Sequence, residues 1–214
     1  GYAKAATDRG PAIFERSAVR RVKVQRKYAE VMVDGGVLQA DTVVVCTGEP
    51  TDLYRSLRRH VRLDERYVVL TERLPARIRK QIQGKAPVLT DTETPPHLIG
   101  FRHDGRLLVA GADQPQGSPR AKDKVVRQRT GQLMYELLRT FPPISGLNPE
   151  YGWEMPLAVT SDDVMYAGPH RNFPRHLFAW ATRHDPAQAF LASRILLRYF
   201  IGQADRGDAY FAFT

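Results

Sequence analysis

Cysteine occurs once in these 214 residues, at Cys46, so no intrachain disulfide and no cysteine-based metal site can form. That usage fits a reducing, cytoplasmic setting. Long apolar runs are missing as well: the stretches around 43–46 and 190–191 fall far short of the ~18 consecutive apolar residues of a membrane span, so no membrane partner is expected. The opening Gly1-Tyr2-Ala3-Lys4-Ala5-Ala6 has one charge and no apolar core and does not read as a signal peptide. The phosphate-binding G-x-G-x-x-G and P-loop patterns, the G-x-S-x-G nucleophile turn and any His pair at metal spacing are all lacking. No metal is expected, because the six histidines are scattered.

What is present is a globular composition, 43% hydrophobic and 26% charged, enough for one large domain or two small ones with a real core. Lysine and arginine outnumber the acids 32 to 23, a net charge of +9. The cations are spread through the chain, the densest groups being Arg20-Arg21-Val22-Lys23, Arg58-Arg59-His60 and Arg77-Ile78-Arg79-Lys80. Spacing of that kind argues against a nucleic-acid stripe and for a solvated face or one that meets an acidic partner or anionic cofactor.

The order of elements is the best structural clue. Residues 2–7 read as a helix stopped by Gly10, and 12–15 as the start of a strand, so the chain opens like the second half of a domain. From Val19 to Gly48 the pattern is all strand, with Asp34-Gly35-Gly36 as a hairpin turn. The run Val43-Val44-Val45-Cys46 is apolar on both faces, as in a parallel strand covered by helices, which makes Cys46 a small buried hydrophobe. A short helix over 52–59, a strand over 67–71 and a helix over 75–83 closed by Gly84 follow. Strands are expected over 88–90, 97–102 and 106–110, the last two joined by His103-Asp104-Gly105. Ser118-Pro119 reads as the cap of a helix whose Val126, Leu133, Leu137 and Phe141 keep helical spacing. Extended segments over 151–154, 164–168 and 177–182 lead to a last helix, capped at Asp185-Pro186, apolar nearly all round and therefore expected to be buried. The aromatic tail, Tyr210, Phe211 and Phe213, is expected to dock on the body.

Four segments, in order, carry a family resemblance. Ala40-Asp41-Thr42-Val43-Val44-Val45-Cys46-Thr47-Gly48 resembles the strand and "A-T-G"-type turn of flavoproteins with two dinucleotide-binding domains. Residues 12–19 are similar to the "I-x-E-x-T-x-V" strand of the D-amino acid oxidase-like FAD-dependent oxidoreductases. Residues 160–169 resemble their "T-x-D-G-x-P-x-I-G" segment, and Leu177-Phe178-Ala179-Trp180-Ala181-Thr182 with the helix after it resembles their terminal strand and helix.

The resemblance implies a mixed α/β (α+β) fold. Residues 1–62 would form part of an FAD-binding, Rossmann-like domain with a β-meander, 63–152 an inserted antiparallel-sheet substrate domain, and 153–214 the return to the first. It implies FAD as cofactor and hydride transfer from a C–N bond of an amine or amino acid to the flavin. Val19, Thr47, Gly48, Gly168, Arg183 and His184 are the candidate cofactor contacts, with amides at the start of the last helix suited to negative charge. Tyr67, His97 and Tyr166 are the candidates to meet substrate. Plainer roles exist for each: Gly48 as a strand end, Gly168 as a turn, Arg183 and His184 as surface residues, the others as packing.

Three departures qualify the implied role. The amino-terminal β-α-β unit with its glycine-rich loop is not in this sequence, so the phosphate-binding element is lost or sits on a separate chain, and the isolated chain is expected to hold FAD weakly. Arg183 and Gln188 stand where the family has glycines. Where the family often places an arginine for a substrate carboxylate, this chain has Met155-Pro156-Leu157-Ala158, which makes an amino-acid substrate doubtful. The alternative is a non-catalytic binding module derived from that fold, contacting an acidic partner.

Overall fold

The computed structural model describes residues 1–82, 88–180 and 182–213, and the expected helix stop at Gly84 lies outside them. Valine-rich alternation and turn glycines produce the elements in the order read from the sequence. The helices are α1 (Tyr2–Thr7), α2 (Ala76–Ile82), α3 (Lys122–Thr140) and α4 (Pro186–Ile201). The strands are β1 (Val19–Val24), β2 (Ala29–Val33), β3 (Gly36–Ala40), β4 (Val43–Val45), β5 (Arg62–Thr71), β6 (Val88–Thr90), β7 (Leu98–Phe101), β8 (Leu107–Pro115), β9 (Pro149–Val159), β10 (Tyr166–His170) and β11 (Phe173–Trp180). They divide into two compact units, Gly1–His60 with Val164–Thr214, and Val61–Asp163.

In the first unit β1, β2 and β3 form an antiparallel meander, with Val33 opposite Gly36 across the Asp34-Gly35 turn. A second sheet has the order β10-β11-β4, antiparallel between β10 and β11 and parallel between β11 and β4. Two stretches more than 120 residues apart thus lie side by side, His176 opposite Val43 and Phe178 opposite Val45. α4 covers one face through Ala192 and Ile195 against Met165 and Ala167. The other core is aromatic: Tyr54, Phe178 and Trp180, with Phe173 and Phe213 packed against them.

Four expectations for this unit need correction. Residues 12–15 form no strand; Ile13 and Phe14 are exposed, and pairing begins only at Val19. β4 is covered on one side only, since Val44 is 40% exposed and Cys46 is exposed too, the strand lying at the edge of its sheet. α4 follows the expected caps, with Asp185 accepting from the Ala187 amide at 2.8 Å and Gly202 left-handed. It buries a single stripe, however, and leaves Phe190 69% and Phe200 55% exposed. In the tail Phe213 stacks on Tyr166, whereas Tyr210 stays in solvent.

The second unit is one antiparallel sheet, β6-β7-β8-β5-β9, with α2 and α3 on one face. Antiparallel partners share a face, so Val69 opposite Val109 and Gly152 sends its pair toward α3, while Val68 opposite Ala110 and Trp153 points away. The covered face packs Tyr67, Val69, Leu107 and Val109 against Leu133 and Leu137 of α3, all 2% exposed or less. Gly152 is dictated by this packing, because a Cβ there would run into Thr130 of α3. β8 carries one extra residue between Gly111 and Gln114, which oppose Tyr67 and Glu65. This bulge is built on Ala112, left-handed at φ +53°. β9 pairs with β5 from Thr71–Pro149 to Arg62–Val159, so residues 153–163 belong to this unit, beyond the division expected at 152.

Candidate functional site

Two clefts lie in the first unit on either side of Cys46. One, about 360 Å³, is lined by Cys46, Gly48, Ala179, Ala189, Ala192, Ser193 and Leu196. Six of these seven side chains are small, so backbone from the end of β4 and from α4 can come close to whatever enters. Gly48 is left-handed at φ +77°, which lets the chain turn away at the end of β4. The other, about 530 Å³, is walled by Val19, Val22, Val31, Val43, Val44 and Val45, with Thr47, Thr51 and Tyr54 also in its lining. Thr51 Oγ1 is buried there with no hydrogen-bond partner, whereas Thr47 Oγ1 donates to the Glu49 carbonyl at 2.6 Å.

The remaining sequence candidates of this unit are placed apart. Gly168 sits in β10 at φ +130°, a backbone conformation that favours glycine, and a Cβ on it would crowd the Tyr199 ring of α4 at 3.1 Å from Cε2. Arg183 occupies a left-handed conformation, φ +52°, in the 3₁₀ turn Thr182–His184. The His184 side chain lies outside the described residues. Tyr166 belongs to this unit and not to the substrate-domain sheet; its ring stacks on Phe213 at 4.8 Å within the cluster of His60 and His170. Asp185 takes the Ala187 amide, Pro186 has no N–H, and the Thr182 amide donates to Gln188 Oε1 at 3.1 Å.

In the second unit Tyr67 and His97 turn out to be two ends of one run of polar contacts. Tyr67, buried on the α3 side, donates its hydroxyl to Glu65 at 2.7 Å and accepts from Gln114 at 2.9 Å. Burial, reinforced by Glu65, pushes the Tyr67 hydroxyl well above the ordinary tyrosine range. Arg129 donates to Gln114 and, at 2.6 Å, to Gln132, and Gln132 donates to Glu136 at 2.9 Å. Glu136 lies 2.8 Å from Nε2 of His97, whose Nδ1 is 2.6 Å from Asp91. The Asp91 contact is a hydrogen bond when Nδ1 carries a proton, since a carboxylate can only accept, whereas the Glu136 oxygen nearest Nε2 is buried without a hydrogen-bond partner among the described residues. Burial raises Asp91, but the amide and ring of His97 and the Glu93 amide outweigh it and hold the carboxyl below its ordinary value. His97, Arg129, Gln132 and Glu136 line a cleft of about 630 Å³ with Asp91 and Arg139. The His97 ring lies against Gly111, where a Cβ would collide with it.

Arg129, Gln132 and Glu136 were not singled out in the sequence, although their i, i+3, i+7 spacing on α3 was there to be read. Asp91 gave no such signal, because it reaches His97 through a loop.

The pattern of the FAD dependent oxidoreductase family matches residues 1–192. The chain is 26% identical over 212 residues to the probable oxidoreductase OrdL of Haemophilus influenzae, covering 96% of this chain and 46% of that protein. It therefore spans about half the length of the curated relative it matches. Glycine oxidase from Geobacillus kaustophilus superposes with a TM-score of 0.71 at 18% identity, over 99% of this chain and 55% of that one. L-Proline dehydrogenase from P. horikoshii gives 0.73 at 13% identity, over 99% and 56%. Identities this low establish the fold.

Proposed function

Because the chain belongs to the FAD dependent oxidoreductase family, we propose that it forms part of an enzyme that oxidises a C–N bond of an amine or amino acid. On this reading the first unit contributes walls of the cofactor site and the second the substrate surface. FAD, when bound, supplies the two-electron acceptor for the hydride. The observation that carries the reading is the parallel pairing of β4 with β11 beside α4, with small side chains lining the cleft at Gly48.

The residues present fit the cofactor at the two clefts of the first unit. Val19 and the valines of β4 would give a flat ring system apolar walls, and the orphaned Thr51 hydroxyl a polar partner. Gly48 and Ala189 would let backbone approach where larger side chains would collide. Arg183 and His184 stay candidates for an anionic part of the cofactor, while Asp185 takes the Ala187 amide of α4.

The Asp185 cap on the Ala187 amide and the chain's excess of cations favour the second reading, a non-catalytic module that holds an acidic partner. FAD titration, followed by quenching of flavin fluorescence, separates the two. The enzyme reading expects weak saturable binding by this chain, tighter binding once a chain carrying a glycine-rich β-α-β segment is supplied, and loss of both in Gly48→Val. Absence of saturable binding with and without that segment refutes it.

A further inference from the structure

The five strands of the second unit contain only two cationic side chains, Arg62 and Arg66, against five carboxylates. Both guanidiniums lie on β5 and both are engaged. Arg66 donates from two nitrogens to Asp113 at 2.8 and 2.7 Å, with Asp113 4% and Arg66 14% exposed at the side chain. Arg62 holds Asp64 in the same fork, 2.7 Å at each contact, and the Asp64 side chain is 6% exposed. Arg66 lies between Glu65 and Tyr67, which touch each other on the α3 side, so it belongs to the opposite face. Asp113, beside Ala112 in the bulge, lies on that same face to receive it.

From this pair onward the face away from α3 is apolar. Val68, Ala110 and Trp153 lie in one row and Leu70, Leu108 and Tyr151 in the next. Trp153 is 38% and Tyr151 57% exposed, two rings on alternate residues of one strand. Aromatic faces of this kind attract an ammonium and cover an apolar substituent. A carboxylate is recognised by a free guanidinium in its bidentate fork, and these strands have none to offer.

We propose that this face takes the substrate of the reaction and that the substrate is an amine with an aromatic or apolar substituent and no carboxylate. The proposal rests on the oxidoreductase reading and narrows its substrate class.

Phenethylamine and phenylalanine form a matched pair that differs by the carboxylate alone. Calorimetric titration of the chain with each is expected to give phenethylamine at least about tenfold the affinity of phenylalanine. Trp153→Ala is expected to weaken phenethylamine about tenfold, with far-ultraviolet circular dichroism unchanged. Asp113→Asn, which releases Arg66, is expected to narrow the preference by improving phenylalanine; if that variant does not fold, the ligand pair and Trp153→Ala decide. Equal or tighter binding of phenylalanine by the unaltered chain, no saturable binding of phenethylamine, or indifference to Trp153→Ala overturns the proposal. The FAD titration on the same preparation is read separately. A failed titration with the amine preference intact removes the oxidoreductase reading and still supports an amine-binding face.

Discussion

The two units handle their apolar surface in opposite ways. The second closes one face of a single sheet with α2 and α3, and ten buried residues form one continuous core. The first splits its burial between an aromatic cluster and a small patch under α4, and leaves Val44, Phe190, Leu197 and Phe200 in solvent. Both are assembled from similar valine- and leucine-rich segments. What differs is whether each element finds partners on both sides, and β4, three residues long and at a sheet edge, finds one. Composition therefore predicts how much apolar surface exists, whereas topology decides how much of it is removed from water.

The contrast can be attacked from its strongest point. Leu133→Ala, in the fully buried core of the second unit, is expected to cost about 2–5 kcal/mol in urea unfolding, measured through Trp153 fluorescence with Trp180 replaced by phenylalanine. A cost near zero would mean that this core is not what holds the unit together. Next come two glycines at which a Cβ would press on a neighbour's ring, hard at Gly111 and mildly at Gly168. Gly111→Ala and Gly168→Ala are each expected to cost about 1–3 kcal/mol, and only the former should shift the His97 ring resonances in an NMR spectrum.

Acid should distinguish the units more gently. Burial and the nearby Arg59 hold His60 and His170 below the ordinary histidine value in the first unit. The unfolded chain therefore binds more protons than the folded one once pH drops below about 6.5, and stability falls with it. A scanning-calorimetry series from neutral pH downward should show that decline, and His60→Phe with His170→Phe should flatten it. The smallest effect is expected on the uncovered side of α4. Leu197→Ala, at a position 47% exposed, should stay within about 0.5 kcal/mol of the parent, and a loss as large as that of Leu133→Ala would erase the contrast.

Local chemistry was legible and long-range pairing was not. Asp34-Gly35 and the Asp185-Pro186 cap fix their turn and helix start through φ preferences and side-chain acceptors that act within four residues, so the sequence displayed them directly. The mixed α/β class and the antiparallel middle sheet came with the family resemblance, while the strands of the middle region followed from alternation. The exposure of Cys46 did not, because Val43-Val44-Val45-Cys46 has the same pattern whether one face is covered or two. Of the candidate site residues, Val19 and Thr47 share a cleft and Gly48 lines its neighbour, all within or beside strands whose ends were visible. Tyr67 was placed among substrate contacts on strand membership alone. One residue of register sends it under α3 instead, and that parity depends on partners β8 and β9 far along the chain.

Ala112 marks a limit to that dependence. Two residues, Ala112 and Asp113, stand opposite the single Arg66 between the pairs Gly111–Tyr67 and Gln114–Glu65, so loss of the alanine would restore plain alternation and leave Asp113 facing the same guanidinium. The neutralised pair is therefore insensitive to the irregularity of the strand and depends on the Asp113 carboxylate itself. A descendant of this sequence would free that guanidinium by exchanging one acidic side chain, and not by straightening its strand.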